Sequence, residues 1–128
     1  MATEYLARPE GLPPVNGYSH VVVFDGPMVA VSGQVPVSGT GVYAGDEAVE
    51  QVRQVFDNLA AALAAGGSGL DRVVKLTVYL TDLADLGSFR EVRDRYLDPA
   101  RLPACSLVQV GALVDPRFRV EIDALATR

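Results

Sequence analysis

The carboxylate best placed for acid–base chemistry lies in a strand-like segment near the end of the chain. In residues 118–125, Phe-Arg-Val-Glu-Ile-Asp-Ala-Leu, apolar and polar side chains alternate, which is typical of a strand with one buried face. Arg119, Glu121 and Asp123 then share the polar face. If an interface removes Glu121 from water, the neutral carboxyl is favoured, which suits a group that takes and returns a proton. An ordinary exposed carboxylate is the alternative.

One cysteine and one histidine limit covalent and metal chemistry. Cys105 has no histidine near it in sequence to generate a thiolate, so we expect a small packing side chain, with a nucleophile as the alternative. A single cysteine excludes an intrachain disulfide and a cysteine-based zinc site. His20 is expected to cap or pack near the first strand. We therefore expect no metal site.

Length and charge restrict the class of protein. The 128 residues, 49% of them hydrophobic, predict one domain spanning residues 1–128. Neither a signal-peptide pattern nor 18 consecutive apolar residues occurs, so a soluble cytoplasmic protein without membrane contact is expected. The net charge of −5, with scattered cations, disfavours a nucleic-acid partner.

Two helices are expected to support the site. After Asp46, apolar residues recur at three- and four-residue spacing, and Gly66-Gly67 ends the pattern. The apolar stripe consists of Val49, Val52, Phe56, Leu59 and Leu63. For the second helix, Ser88 and Glu91 resemble a capping box, and Asp98-Pro99 ends it. Its predicted buried stripe is Leu86, Phe89, Val92 and Tyr96.

Strands are expected in the remaining segments. Residues 1–16 lack periodicity and predict an irregular lead-in, whereas residues 19–24 and 28–32 predict a hairpin around Asp25-Gly26-Pro27. Residues 70–81 alternate as one long strand, and residues 103–110 and 118–125 predict neighbouring strands joined at Asp115-Pro116. The result is an α+β domain. Two helices cover only one face of such a sheet, so we expect another copy of the chain to cover the other.

Several segments together resemble the RidA/YjgF family over nearly the whole chain. They are Gly17-Tyr18, Ser32-Gly33-Gln34-Val35-Pro36, Leu80-Thr81-Asp82-Leu83, Pro103-Ala104 with Ser106, and Val120-Glu121-Ile122. The resemblance implies a chorismate-mutase-like fold, a mixed sheet of five to six strands backed by two helices. It also implies a homotrimer with small-molecule clefts between subunits, and cofactor-free hydrolysis of reactive enamines and imines.

The family's site is only partly present. In deaminating members an arginine after the Pro-Ala pair binds the substrate carboxylate with its planar fork, and here that position is Cys105. The resemblance implies Glu121 as the acid that holds the hydrolytic water. The substrate-binding positions that it implies are Tyr18, Ser32, Gly33, Arg90, Cys105, Ser106, Leu107 and Gln109. Two further family positions also differ: the family's cysteine is Leu107 here, and its glutamate is Gln109. Strand alternation places Cys105, Leu107 and Gln109 on one face, so a less polar ligand is expected. Arg90 or Arg119 could replace the missing cation.

Three classes of function remain open. In the first, an enzyme adds water to an activated C=N bond, with Glu121 positioning the water and backbone amides near Cys105 or Gly33 stabilising the developing charge. Its substrate would not be a simple 2-imino acid. In the second, a non-catalytic trimer binds or senses a metabolite. The third, an endoribonuclease, is disfavoured by the acidic chain and its single histidine.

Overall fold

The computed structural model describes residues 3–128, which contain six strands, two α-helices and two short 3-10 helices. The strands are β1 (Glu4–Leu6), β2 (Val21–Val23), β3 (Met28–Gln34), β4 (Val73–Leu80), β5 (Ala104–Gln109) and β6 (Val120–Thr127). The helices are α1 (Ala48–Ala65) and α2 (Leu86–Tyr96). Across the described residues, no helix combines the length and apolar character needed to cross a bilayer.

Four strands form the main sheet in the order β3-β6-β4-β5. β4 and β5 run parallel, with α2 in the crossover between them, and the other neighbours are antiparallel. β1 and β2 form a separate antiparallel ribbon, and a parallel bridge from Ser19 to Ala104 links its end to the edge of β5. The predicted α+β class, with two helices on a mixed sheet, is confirmed.

Three local strand predictions were wrong. The lead-in is not wholly irregular, because β1 lies within it and takes β2 as its partner. The predicted hairpin is therefore absent: β3 pairs with β6 instead. β5 and β6 are not neighbours, since β4 lies between them. Alternation and turn residues locate strands, but the choice of partner depends on side-chain packing across distant parts of the chain.

The core lies between the helices and one face of the sheet. Val52, Phe56, Leu59 and Leu63 of the predicted α1 stripe are buried, as are the alternate β6 residues from Val120 to Ala126. Burying each large apolar side chain contributes about 1.5–3 kcal/mol. α1 ends at Ala65, immediately before the predicted Gly66-Gly67 stop, and Gly67 adopts a positive φ of 79°.

The start of α2 differs from the prediction. The helix begins at Leu86 after a 3-10 turn over Leu83–Asp85, so Ser88 lies inside the helix and the predicted capping box is wrong. The cap belongs to the preceding turn, where the Asp82 side chain accepts a hydrogen bond from the Ala84 amide at 2.9 Å. A short acidic side chain in this position competes well for a free amide donor.

The second face of the sheet is left open within residues 3–128. It carries alternate residues of β4 and β6, and Tyr79 donates a hydrogen bond to Asp123 on it at 3.1 Å. Val108 and Leu125 belong to the same face by register and are 45% and 40% exposed. Exposed apolar side chains therefore lie among polar ones on this face.

Candidate active site

Glu121 projects from β6 onto the open face and lies against Gly33. Between Val31 and Gln34 the register of β3 with β6 shifts, so Ser32 and Gly33 form a bulge. A Cβ atom on Gly33 would contact the Glu121 carboxylate and would lie 2.7 Å from its Cδ. Gly33 therefore permits a close approach of backbone to side chain.

The Glu121 carboxylate lies on the open face beside an aromatic side chain. It is half-buried, and its neighbour on β4 is Tyr79. Among residues 3–128, no hydrogen bond or ion pair involves it, whereas Asp123 on the same face accepts from Tyr79. A partly desolvated carboxylate with free lone pairs is available to a water molecule or a ligand.

A separate pocket of about 210 Å³ lies on the helix side of the sheet. Its walls come from three segments: Asn16 and Tyr18 of the lead-in, Leu86, Phe89, Arg90 and Arg93 of α2, and Cys105 and Leu107 of β5. Most of this lining is apolar or aromatic, and the two arginines are its charged members. Four of the predicted substrate-binding residues, Tyr18, Arg90, Cys105 and Leu107, thus come together.

The Cys105 thiol lies in this pocket as a neutral group. Burial raises its pKa above the ordinary value, and the nearby cations Lys75 and Arg93 offset only part of that effect. Desolvation disfavours the thiolate, which is the nucleophilic form. The environment therefore favours the packing role for Cys105 over the nucleophilic alternative.

Arg93 is a pocket residue that the sequence reading missed. Its side chain is only 6% exposed and donates to the backbone and side-chain oxygens of Asn16 at 3.2 and 3.0 Å, and to Asp94 at 2.8 Å. Gly17 has a positive φ of 75°, and a Cβ there would collide with the guanidinium group. The guanidinium also lies 5.8 Å from the ring centre of Phe89. The only signal in the sequence was an arginine four residues after Phe89 on the buried stripe.

Other predicted binding residues lie outside the pocket. Gln109 shares the helix-side face with Cys105, but its side-chain oxygen accepts a hydrogen bond from the Leu83 amide at 3.1 Å. Ser106 points to the opposite face and accepts from Lys75 at 2.8 Å. Ser32 is exposed in the bulge beside Gly33.

The two candidate arginines differ in their availability. Arg119 makes a bidentate ion pair with the buried Asp85, with N–O distances of 2.9 and 3.0 Å, and so is committed to the fold. Arg90 lines the pocket instead. Residues 3–128 contain no group of three or more histidine, cysteine or acidic side chains placed to hold a metal ion.

The fold of the chain does not bring Glu121 and the pocket together. By register, Glu121 lies beside Tyr79 on the open face, whereas Cys105 lies beside Leu76 on the helix face. The two groups also belong to opposite halves of the sheet, because β5 is one edge and Gly33 lies on β3, the other edge. Glu121 and the Cys105 pocket are therefore two separate features that lie on opposite faces and in different halves of the sheet.

Comparison with known proteins identifies the family. A profile of the endoribonuclease L-PSP family matches residues 9–128. The crystal structure of YyfB from Yersinia pestis, described as a protein of unknown function of the conserved Rid family, superposes with a TM-score of 0.91 at 28% identity and 100% coverage of both chains. The chain belongs to the RidA/YjgF family.

RidA/YjgF relatives with higher identity include proteins named as deaminases. Protein DfrA of Myxococcus xanthus is 43% identical over 115 residues, covering 88% of this chain and 86% of its own. The mouse 2-iminobutanoate/2-iminopropanoate deaminase is 40% identical over 118 residues, covering 89% and 83%. The predicted family is confirmed, and these RidA/YjgF relatives support a general imine or enamine deaminase-like function.

Proposed function

We propose that this chain hydrolyses a small reactive enamine or imine, without a cofactor, in a cleft shared by adjacent copies of a homotrimer. The observation that carries the proposal is the Glu121 carboxylate, which is half-buried against Gly33 and free of hydrogen-bond and ion-pair partners among residues 3–128. A carboxylate held in this way can bind a water molecule and accept its proton.

The proposed reaction needs one proton carrier. An enamine first tautomerises to its imine, and Glu121 accepts a proton from water as the oxygen attacks the C=N carbon. The protonated carboxyl then returns the proton to nitrogen. Glu121 then accepts the hydroxyl proton of the carbinolamine and passes it to the leaving nitrogen, as C=O forms, C–N breaks and ammonia departs. One water is consumed, and no oxidant, reductant or metal takes part.

The separate positions of Glu121 and the Cys105 pocket support a cleft shared between chains. If the Gly33–Glu121 edge of one protomer meets the Cys105 edge of the next, the contact is head-to-tail, and such contacts close into rings when the rotation permits. The open face, with Val108 and Leu125 exposed, offers apolar surface to such a contact.

The proposed location is the cytoplasm. A single cysteine without an intrachain disulfide is consistent with this reducing compartment.

The substrate is proposed to differ from a simple 2-imino acid. The mouse relative is named for 2-imino acids, and the family resemblance assigns an arginine to the position of Cys105. A neutral thiol cannot replace the bidentate clamp of a guanidinium group. Nuclease activity is not part of the proposal, because a chain of charge −5 repels a polyanion.

Ammonia release from a panel of imines and enamines tests the proposal. We expect the wild type to turn over at least one member other than 2-aminoacrylate, and Glu121→Gln to lose about 100-fold or more of that rate. Asp123→Asn is the matched control, because Asp123 shares the strand and the face but is engaged by Tyr79. If Glu121→Gln shifts only ligand affinity, or if no member of the panel is hydrolysed, the chain is the metabolite-binding or sensing trimer instead.

A further inference from the structure

Arg90 stands apart from the other arginines. Six of the ten form ion pairs within residues 3–128: Arg53, Arg93, Arg95, Arg101, Arg117 and Arg119. Of the four outside these pairs, Arg8, Arg72 and Arg128 are exposed, whereas Arg90 is partly buried. Arg90 also has no hydrogen bond to another described residue, so its donors are free. A partly desolvated cation without a partner is an unfavourable arrangement unless an anion completes it.

The surroundings of Arg90 define what that anion can be. The pocket beside it is walled mainly by Leu86, Phe89, Leu107 and the ring of Tyr18. Arg93, the other pocket cation, already directs its donors to Asn16 and Asp94. A volume of about 210 Å³ corresponds to roughly seven water volumes, so the ligand is small. One free guanidinium group next to apolar side chains is complementary to a ligand with a single negative charge and an apolar remainder.

We propose that Arg90 binds the carboxylate of a small organic acid whose apolar part fills the pocket of Leu86, Phe89 and Leu107. This inference rests on the proposed function and names the substrate class for the same site. A guanidinium fork pairs with a carboxylate through two parallel hydrogen bonds, which gives the pocket a preference for planar monoanions.

The position of Arg90 sets the shape of the substrate. Arg90 belongs to α2 and Cys105 to β5, so the two residues line the pocket from different elements. In a 2-imino acid the carboxylate is bonded directly to the reacting carbon. A carboxylate held on the helix side is farther from the sheet, so several atoms separate it from the C=N carbon. The substrate class is therefore an imine or enamine with a remote carboxylate and an apolar spacer.

Ligand binding to the intact wild-type assembly tests this inference without requiring turnover. The probes are benzoate, benzyl alcohol as its neutral counterpart, and inorganic phosphate, measured by calorimetry or ligand-observed NMR. The variants are Arg90→Gln, Arg90→Lys and the control Arg8→Gln, which removes an exposed and unpaired arginine. Thermal unfolding of each variant checks that the fold is retained.

We expect benzoate to bind the wild type and Arg8→Gln equally, and Arg90→Gln about tenfold or more weakly. Arg90→Lys should recover part of the loss, and benzyl alcohol should bind all four proteins alike. Equal binding of benzoate to Arg90→Gln, no binding to the wild type, or phosphate binding as tightly as benzoate would overturn the inference.

The outcome for Arg90 is separable from that for the proposed hydrolysis. In one outcome, imine hydrolysis depends on Glu121 but benzoate binding does not depend on Arg90. That result overturns the Arg90 inference and supports the proposed hydrolysis. In the other outcome, benzoate binding depends on Arg90 but the protein hydrolyses no imine. That result supports the Arg90 inference and overturns the proposed hydrolysis.

Discussion

The backbone of Gly33 lies directly against the carboxylate of Glu121. A methyl group at position 33 would lie 2.7 Å from Glu121 Cδ and 3.0 Å from Cγ, closer than real Cβ contacts allow. The bulge in β3 thus leaves just enough space for the side chain from β6. Because Gly33 does not adopt a positive φ, this requirement for glycine is one of space rather than backbone conformation.

Gly33→Ala is expected to displace the carboxylate and leave the fold intact. The atoms in the way belong to a flexible side chain, so the free energy of unfolding should change by about 1 kcal/mol or less. A displacement of about 1 Å at a reacting group lowers turnover on the order of 100-fold. Ammonia release and thermal unfolding check this. Gly39→Ala is the control, since a Cβ there meets nothing within 4 Å. Equal turnover in both variants would show that the Gly33–Glu121 contact has no catalytic role.

Cys105→Arg is expected to create turnover of 2-iminobutanoate. The substitution restores the cation that the family resemblance assigns to this position, and two charge-assisted hydrogen bonds to a carboxylate should raise kcat/KM by about tenfold or more. The control is Cys105→Gln, which is polar and of intermediate length but uncharged. An unchanged rate in Cys105→Arg, in a protein that remains folded, would mean that the missing arginine does not determine substrate choice.

The Cys105 thiol is expected to be slow to alkylate at neutral pH. Because burial raises its pKa, less thiolate is present at a given pH than in a free cysteine, and the rate should rise at a higher pH than usual. Iodoacetamide kinetics across pH measure this, with exposed Ala64→Cys in a Cys105→Ser background as the reference. If Cys105 reacts faster than this reference at neutral pH, the thiolate form exists and the nucleophilic role returns.

Local periodicity was enough to predict the elements that hold the site. The α1 stripe from Val52 to Leu63 and the alternation around Glu121 depend on neighbours within a few residues, so sequence reports them directly. The hydrogen bond from Arg93 to Asn16 could not be predicted, because the two residues lie 77 positions apart in the chain.

The contact between Gly33 and Glu121 also could not be predicted from local sequence patterns. It depends on a bulge in β3 and on the pairing of β3 with β6, whereas the sequence suggested a hairpin of residues 19–24 with 28–32. Strand partners are selected by packing over the whole sheet, which a turn signal such as Asp25-Gly26-Pro27 does not encode. The same limit explains why β4 between β5 and β6 was missed.

The central claim is that the Gly33–Glu121 edge of one protomer faces the Cys105 pocket of the next. The single native cysteine makes a direct test possible: Ser32→Cys adds a second thiol in the exposed bulge beside Gly33. A short bifunctional maleimide at mildly alkaline pH should then join Cys105 of one protomer to position 32 of another. The controls are the wild type, Ser32→Cys with Cys105→Ser, and Ala64→Cys with native Cys105.

Denaturing electrophoresis of the treated Ser32→Cys protein is the decisive measurement. The shared cleft predicts covalent dimers and closed trimers with Ser32→Cys alone, and monomers in all three controls. Monomers only, or a crosslink confined within one chain, would contradict the shared cleft and with it the proposed assignment of Glu121.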